Sequence, residues 1–423
     1  MNRSNRVFVA MLVAAALAAG CAAAPERFHA GRVEQIDGIT VLHVEGGPYD
    51  MGLQQGVLMR QQIKGLWLDY IRASVMNGRG YTHDYMLQCA RTMEKHIPAE
   101  YIEEMKGVAE GAGVAYEDIL IMHTHADTVH YGHGWGAPEA TPGQCSNFAV
   151  WGEATADGAL LHGRNLDWST KGGAQKYPAV IDYHPFEGNR FCLMAWAGAV
   201  GSVTGMNEKG ITYGEMTSPS TDETLDGLPL FLQFRHILQY ANTLEEAVEM
   251  QRSFNRTTGW NMMIGDGKIP DARALEVSDN HASVFAADDP KESSPPVSEP
   301  LKNAIRRTNH YIDQELQPLQ AERTGVDIKN LPRELLVMGL MQQDTWQRYD
   351  ALGRWIKEDY GKITPEKAIE YLGRAPVGGD SGNLHSVVFR PAGKEMWVSV
   401  AGPNGQSACR RPYTHISFAD VWK

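Results

Sequence analysis

A cysteine, an arginine and a carboxylate lie within one short stretch of the chain, at Cys145, Arg164 and Asp167. A strand-like run follows Cys145, and Asp157-Gly158 is typical of a hairpin turn after which the chain returns towards Arg164. The sequence therefore places a nucleophile, a cation and a carboxylate on a single β-hairpin.

The chemistry open to Cys145 depends on how its thiol loses a proton. A free thiol has a pKa of about 8.5 and is a weak nucleophile at neutral pH. Cleavage of the Gln144–Cys145 bond would give Cys145 a terminal amine with a pKa of about 7.7–8.0, which is a base matched to neutral pH. A nearby arginine favours the thiolate, and a nearby aspartate favours the ammonium form. Pro142-Gly143 indicates an exposed turn just before this bond.

The register of the hairpin decides which side chains reach Cys145. A three-residue loop sets Asp167 opposite Asn147, on the face of Cys145. Arg164 then falls on the other face of the hairpin. It reaches the cysteine only if a β-bulge intervenes.

Three other interpretations remain open. A papain-like hydrolase would pair Cys145 with a distant histidine and would need no self-cleavage. The histidine candidates are His162, His310 and His385. A zinc hydrolase would use a histidine-rich segment with zinc-ligand residue types, namely His123, His125, Asp127 and His130. That segment lacks the histidine expected directly after the aspartate, and a polar loop with solvated imidazoles explains it without a metal. A surface lipoprotein without enzymatic activity would have no reactive thiol at position 145.

The first residues indicate export from a bacterial cell. Two arginines precede an apolar run at residues 7–19, which is too short for a membrane span. Gly20-Cys21 resembles a lipobox and predicts a lipid on Cys21, with ordinary signal cleavage nearby as the alternative. We expect a signal peptide at 1–21, a tether at 22–32 and a periplasmic protein of the cell envelope, held at a membrane by this lipid.

Composition limits the class of protein. Of the 423 residues, 43% are hydrophobic and 21% charged, which suits a globular protein with a large core. A net charge of -12 disfavours nucleic acid as a partner, because phosphate binding needs clustered Lys and Arg. The five cysteines contain no CxxC spacing, so they predict neither a disulfide framework nor a metal knuckle.

Periodicity predicts the elements that must position the hairpin. The predicted helices cover 51–76, 98–110, a segment from Tyr116, 228–240, 243–254, 332–342, 345–358 and 365–372. The predicted strands cover 33–45, 145–151, 159–164, 179–184, 191–196, 211–216 and 260–266, and a final hairpin is predicted around Pro391 to Lys394. The polar, proline-rich residues 285–303 predict a surface loop. Helices, strands, helices and again strands in this order predict an α+β fold with segregated layers.

Short motifs occur along the chain in this order: Gly47 to Gly52 with Gly56, Gly107 to Gly111, Cys145 to Phe148, Gly163 to Trp168, Gly205 to Gly210, and Arg307 to His310. In this order and combination they make residues 37–415 resemble the N-terminal-nucleophile hydrolases. Within these hydrolases the resemblance is to the acyl-CoA:6-aminopenicillanic acid acyltransferase family, which is peptidase C45-like.

The resemblance implies a four-layer αββα sandwich formed by one domain at 33–423. It implies self-cleavage into a small chain, 22–144, and a large chain, 145–423, which stay associated. The implied reaction moves the acyl group of a non-peptide or small peptide-like amide onto Cys145 as a thioester, and then to water or an amine. Arg164 and Asp167 are the implied partners of the nucleophile, and Asn261 is the implied side-chain donor to the oxyanion. No cofactor or metal is expected, and the expected partner is a small amide or acyl substrate.

Overall fold

A computed structural model describes residues 31–131, 144–293, 299–324, 343–379 and 382–422. The predicted signal peptide, the lipid site at Cys21 and nearly all of the tether lie outside these residues, as does the predicted helix at 332–342. Among the described residues, no helix combines the length and the apolar character needed to cross a membrane.

Two sheets form the centre of the molecule. The first has nine strands, in the order β1 (Arg32–Ile36), β2 (Ile39–Gly46), β5 (Pro178–Pro185), β6 (Phe191–Trp196), β7 (Thr204–Asn207), β8 (Ile211–Thr217), β9 (Trp260–Asp266), β10 (Asp271–Val277) and β11 (Ala282–Phe285). The second has six, in the order β12 (Ala304–Arg307), β3 (Gln144–Gly152), β4 (Gly158–Asp167), β13 (Asn383–Arg390), β14 (Glu395–Val400) and β15 (Thr414–Ser417). Strands β2 and β5 pair in parallel. The nine-stranded sheet thus joins residues from both sides of Cys145.

Helices cover the outer faces of the two sheets. Those that precede β9 are α1 (Pro48–Leu58), α2 (Arg60–Leu66), a π-helical segment (Trp67–Asn77), α3 (His83–Glu94), α4 (Ala99–Ala112), α5 (Tyr116–His130), α6 (Leu230–Tyr240) and α7 (Leu244–Ser253). Those that follow β12 are α8 (Leu316–Thr324), α9 (Asp344–Glu358) and α10 (Pro365–Gly373). Helix α3 has no counterpart among the predicted helices, although its buried Met86, Ala90 and Met93 follow helical spacing.

Alternation along the strands separates the apolar layers. In β2, Leu42 packs in the core between helices and the first sheet, whereas Val41 packs between the two sheets. In β3, Phe148 packs under α9 and α10, whereas Ala149 faces the first sheet. The order of layers is therefore helix, sheet, sheet, helix. The α+β class and the four-layer αββα sandwich implied by the resemblance are confirmed.

The β3–β4 hairpin forms as predicted, but its predicted register is wrong. Asn147 pairs with Arg164, and Gln144 pairs with Asp167. The closing loop is longer than three residues because Gly152 pairs with Gly158, and the register shifts between Val150 and Gly152. Arg164 therefore shares the face of Cys145, and Asp167 falls on the opposite face at the end of the strand.

Candidate active site

Cys145 lies near the start of β3, which is flanked by β12 and β4. Its side chain is 1% exposed. The pKa of the thiol is raised to about 12, chiefly by burial and also by Glu215, while Arg164 acts in the opposite direction. The backbone N–H of Asp167 donates a hydrogen bond to the sulfur, which favours the thiolate. The thiol as it stands in the uncut chain is therefore protonated, and it needs a base to react.

Arg164 is fully buried and crosses from the second sheet to the first. Its guanidinium donates to the Glu215 carbonyl oxygen at 2.8 Å and to the Glu215 carboxylate at 3.2 Å. It also contacts the Thr204 hydroxyl, and its Nη1 lies 2.8 Å from His385 Nε2. Gly214 on β8 makes room for Asn147 and for this side chain, because a Cβ there would lie 2.6 Å from Asn147 Oδ1 and 3.0 Å from Arg164 Cδ. The predicted cation is thus placed beside Cys145 and fixed there from several directions.

Glu215 is a site residue that the sequence did not single out. Burial raises the pKa of its carboxyl to about 7, although Arg164 lowers it. Near neutral pH it therefore exists in both protonation states. A neutral Glu215 leaves the positive charge of Arg164 unopposed beside the thiol, which favours the thiolate.

The carboxyl of Asp167 is held by a residue of the neighbouring strand β13. Its Oδ1 accepts a hydrogen bond of 2.7 Å from Asn383 Nδ2. Burial raises the pKa of Asp167 to about 7, and Arg348 is the largest influence in the opposite direction. At this end of the hairpin, the Asp167 carboxyl is thus held by Asn383, and the Asp167 backbone N–H is directed at the sulfur.

Asn309 and Arg348 hold the backbone of Cys145. The Cys145 N–H donates to Asn309 Oδ1 at 2.7 Å, and Arg348 Nη2 donates to the same oxygen at 3.0 Å. Arg348 also donates to the Cys145 carbonyl oxygen and, at 3.0 Å, to the Ser146 hydroxyl. Asn309 belongs to the Arg307–His310 motif of the sequence, but no role followed from it there. Arg348 lies inside a predicted helix and carried no signal of its own.

Asn261 supports the loop that carries Asn309. Its Nδ2 donates to the carbonyl oxygens of Thr308 at 2.9 Å and of His310 at 2.7 Å. Both amide protons are therefore used. A role for Asn261 in the oxyanion hole stays a prediction. Asn261 could donate to an oxyanion only if one of these two hydrogen bonds were broken.

The three histidines of the papain-like interpretation are bonded elsewhere. His162 lies 2.8 Å from the Thr212 hydroxyl, His310 stacks on Trp346, and His385 Nε2 accepts from Arg164. Burial lowers the pKa of His162 to about 3 and lowers those of His310 and His385 well below the usual range. In the described part of the chain, no hydrogen bond joins any of them to the Cys145 thiol.

The histidine-rich segment is a buried helix, so the predicted polar loop is wrong. In α5, His123 bonds the Ile119 carbonyl through Nδ1 and accepts from the Val200 N–H through Nε2. Asp127 accepts from the Thr257 hydroxyl at 2.5 Å. These side chains diverge, and the described residues contain no group of three or more His, Cys, Asp or Glu able to hold a metal ion. The geometry gives the zinc interpretation no ligand set.

A mainly apolar pocket adjoins Cys145 and Glu215, and its empty space of about 860 Å³ includes open solvent at the mouth. Residues on both sides of the Gln144–Cys145 bond form its walls. Those before the bond are Leu66, Tyr70, Ile71, Met122, His123, His125, Ala126 and His130. Those after it include Leu166, Trp168, Trp196, Val203, Leu230, Phe231, Trp260 and Leu384. The pocket is suited to an apolar acyl group placed beside the thiol.

Comparison with known proteins gives a family match over more than half of the chain. A family model described as acyl-coenzyme A:6-aminopenicillanic acid acyl-transferase matches residues 154–405. The match takes in Arg164, Asp167 and Asn309 and begins after Cys145.

Individual relatives are distant. The chain is 26% identical over 396 residues to Protein dcd1B of Dictyostelium discoideum, covering 86% of this chain and 69% of that protein. It is 28% identical over 367 residues to an uncharacterized protein of Archaeoglobus fulgidus, covering 79% of this chain and 58% of that protein. Among solved structures, the Caenorhabditis elegans N-acylethanolamine-hydrolyzing acid amidase ortholog has a TM-score of 0.42 and 15% identity, covering 59% of this chain and 93% of that one.

Proposed function

The chain belongs to the acyl-coenzyme A:6-aminopenicillanic acid acyl-transferase family, and from this premise we propose that it is a self-cleaving cysteine hydrolase or acyltransferase. The family match supports amide hydrolysis or acyl transfer. One observation carries the finer proposal: Asn309 and Arg348 hold the backbone of Cys145 on one side, while an apolar pocket adjoins its side chain on the other. The first feature fixes the nitrogen that would become the chain terminus, and the second gives an acyl group access to the thiol.

Self-cleavage begins with attack of the Cys145 sulfur on the carbonyl carbon of Gln144. The C–N bond breaks, the thiol proton passes to the released amine, and the acyl group becomes a thioester on the same cysteine. Water then adds to the thioester, giving a carboxylate at Gln144 and a free thiol at Cys145. The products are a small chain ending at Gln144 and a large chain beginning at Cys145.

Asn309 and Arg348 suit the new amine to act as a base. The Cys145 nitrogen already lies 2.7 Å from Asn309 Oδ1, which accepts one N–H and so orients the amine. The Arg348 guanidinium shares that oxygen, and its positive charge disfavours the ammonium form. The amine is thereby kept free to take the thiol proton.

In turnover, the amine removes the thiol proton and the sulfur attacks the acyl carbon of the substrate amide. The tetrahedral intermediate collapses, the leaving amine receives the proton, and the acyl group remains on Cys145 as a thioester. Water or an acceptor amine then takes the acyl group. Arg164 favours the thiolate throughout, since its positive charge lies beside the sulfur.

The decisive experiment is intact mass and N-terminal sequencing of the purified, active protein. We expect two chains, the larger one beginning at Cys145. Cys145→Ala should give one uncut and inactive chain, and Cys145→Ser should cut slowly, because a hydroxyl can make the same acyl shift. Cys192→Ala is the matched control: it removes another buried free thiol, in β6, and should leave cutting and activity unchanged. Full activity in a chain still joined at Gln144–Cys145 would instead favour the papain-like interpretation.

Export and lipidation form a separate part of the proposal, supported by the signal sequence predicted at residues 1–21. The enzyme is then a protein of the bacterial cell envelope anchored through Cys21. Labelling cells with a radioactive fatty acid should mark the wild-type chain and leave Cys21→Ser unmarked. An unlabelled wild-type chain would contradict the anchor and leave the catalytic proposal intact.

A further inference from the structure

Every polar group of Asn309 has a partner. Its Oδ1 accepts from Cys145 and Arg348, and its Nδ2 donates to the Thr217 carbonyl oxygen at 2.8 Å. Its backbone carbonyl accepts from Gln320 Nε2 at 3.1 Å, and its backbone N–H donates to Thr345 Oγ1 at 2.9 Å. The position of Asn309 is therefore set both by the partners of its side chain and by the two groups that hold its backbone.

Thr345 is the centre of a closed set of hydrogen bonds. Its hydroxyl accepts from the Asn309 N–H, lies 2.9 Å from His310 Nδ1, and donates to the Thr308 hydroxyl at 3.0 Å. The Thr308 hydroxyl donates in turn to the Thr345 carbonyl oxygen at 2.9 Å. The arrangement is consistent when His310 carries its proton on Nδ1. One hydroxyl thus joins three consecutive residues of the loop to the first turn of α9.

The same turn of α9 leads directly to the other group that holds Cys145. Trp346 stacks on His310 with ring centroids 3.6 Å apart, and Arg348 follows on the same helix. Thr345 therefore fixes the loop that bears Asn309 against the helix that bears Arg348. The two groups meet at Asn309 Oδ1, where small displacements alter the position of the Cys145 nitrogen.

We propose that Thr345 is a positioning residue of the Cys145 site, which acts through Asn309 and touches no reacting atom. The proposal rests on the proposed function, in which Asn309 orients the amine of Cys145. In this proposal Thr345 aligns the amine of Cys145, because the Thr345 hydroxyl accepts the hydrogen bond from the Asn309 N–H.

The test uses the full chain and two readouts: the rate of cutting at Gln144–Cys145, and kcat and KM for hexanoyl p-nitroanilide, an apolar acyl amide. Thr345→Val keeps the shape and removes the hydroxyl. We expect it to lower the cutting rate and kcat about 10–100-fold while KM changes less than about twofold, because misplacement by about 1 Å costs rates of this order. Thr345→Ser restores the hydroxyl and should stay within about threefold of wild type. Thr128→Val, which removes a buried hydroxyl bonded within α5, is the control and should match wild type.

A double-mutant cycle shows whether Thr345 acts through Asn309. Asn309→Ala/Thr345→Val should be within about threefold of Asn309→Ala alone, since residues in one network are not additive. Thr345→Val at the wild-type rate, with Asn309→Ala impaired, overturns this proposal and leaves the proposed function standing. A full additional loss in the Asn309→Ala background overturns it as well. Asn309→Ala at the wild-type rate overturns both. Should Thr345→Val fail to fold, Thr345→Ala removes the same hydroxyl and is tested in the same cycle, with the same overturning outcomes.

Discussion

At Cys145, two buried side chains of opposite charge act on one thiol. Arg164 lowers the pKa of the thiol and Glu215 raises it, while burial raises it more than either. Because burial also raises the pKa of Glu215 to about 7, the balance between them changes near neutral pH. As Glu215 takes up a proton, the opposing negative charge disappears and the thiolate is favoured. The residue that moderates the nucleophile is therefore itself sensitive to pH.

Substitutions at this pair should move the reactivity of Cys145 in opposite directions. Arg164→Met should raise the pKa of the thiol and slow its alkylation by iodoacetamide across pH 6–9, whereas Glu215→Gln should lower the pKa and speed alkylation. Arg164→Met also leaves the buried Glu215 carboxyl without its cation, at a cost of about 3–5 kcal/mol of stability. Arg164→Met/Glu215→Gln should recover much of that stability while alkylation stays slower than in Glu215→Gln. Equal alkylation rates in all four proteins would show that the pair does not act on the thiol.

At the scale of elements, the glycine motifs mark a close helix crossing. A Cβ on Gly56 of α1 would lie 2.5 Å from the Val108 carbonyl oxygen of α4, and one on Gly107 would lie 2.2 Å from the Tyr49 carbonyl oxygen. The two helices approach so closely that backbone meets backbone. The spacing of these glycines in the sequence therefore indicates close packing of two helices and not a catalytic role.

Gly56→Ala should destabilise the protein by about 1–3 kcal/mol or more, because the added methyl overlaps the α4 backbone. Gly78→Ala is the matched control. Gly78 ends the π-helical segment in right-handed helical geometry, and the atom nearest to an added Cβ would lie 3.6 Å away. That change should be neutral or stabilise by up to about 1 kcal/mol through helix propensity. The two midpoints of urea unfolding test this directly. Similar midpoints for Gly56→Ala and Gly78→Ala would contradict the close packing, because α1 and α4 would then move apart without a loss of stability.

Sequence patterns captured the elements better than their contacts. The helices at 99–112, 230–240 and 344–358 and the β3–β4 hairpin lie where apolar spacing and turn residues predicted them. The hairpin register was wrong because the longer loop and the irregularity after Val150 leave no mark in residue types. The α5 segment was misjudged because His123 and Asp127 are buried through specific hydrogen bonds, which periodicity does not report. Arg348 lies 203 positions from Cys145, and the fold alone brings them together.

For the whole molecule, the proposed cut leaves the layers shared between two chains. Strand β2 of the small chain pairs with β5 of the large chain inside the nine-stranded sheet. Glu104 of α4 and Arg235 of α6 form a buried ion pair of 2.8 Å across the same boundary. Arg235 also donates to the Val200 carbonyl oxygen at 3.0 Å and lies over the Tyr183 ring. The cut chains thus share a sheet, a core and a buried charge pair.

The cut chains should therefore co-elute in gel filtration and separate only in denaturant. Arg235→Met should lower the urea concentration at which they separate, because Glu104 then stays buried without its partner, at about 3–5 kcal/mol. Arg390→Met is the control: it removes an arginine from a surface pair with Asp157 inside the large chain, and should leave the midpoint nearly unchanged. If the chain is uncut, the same two substitutions are compared by the midpoint of global unfolding. Separation of wild-type chains without denaturant would show that the two chains do not share a sheet and a core. An open β2 edge and the apolar faces of the helices around Leu66 and Ile71 would then face water, which is unfavourable.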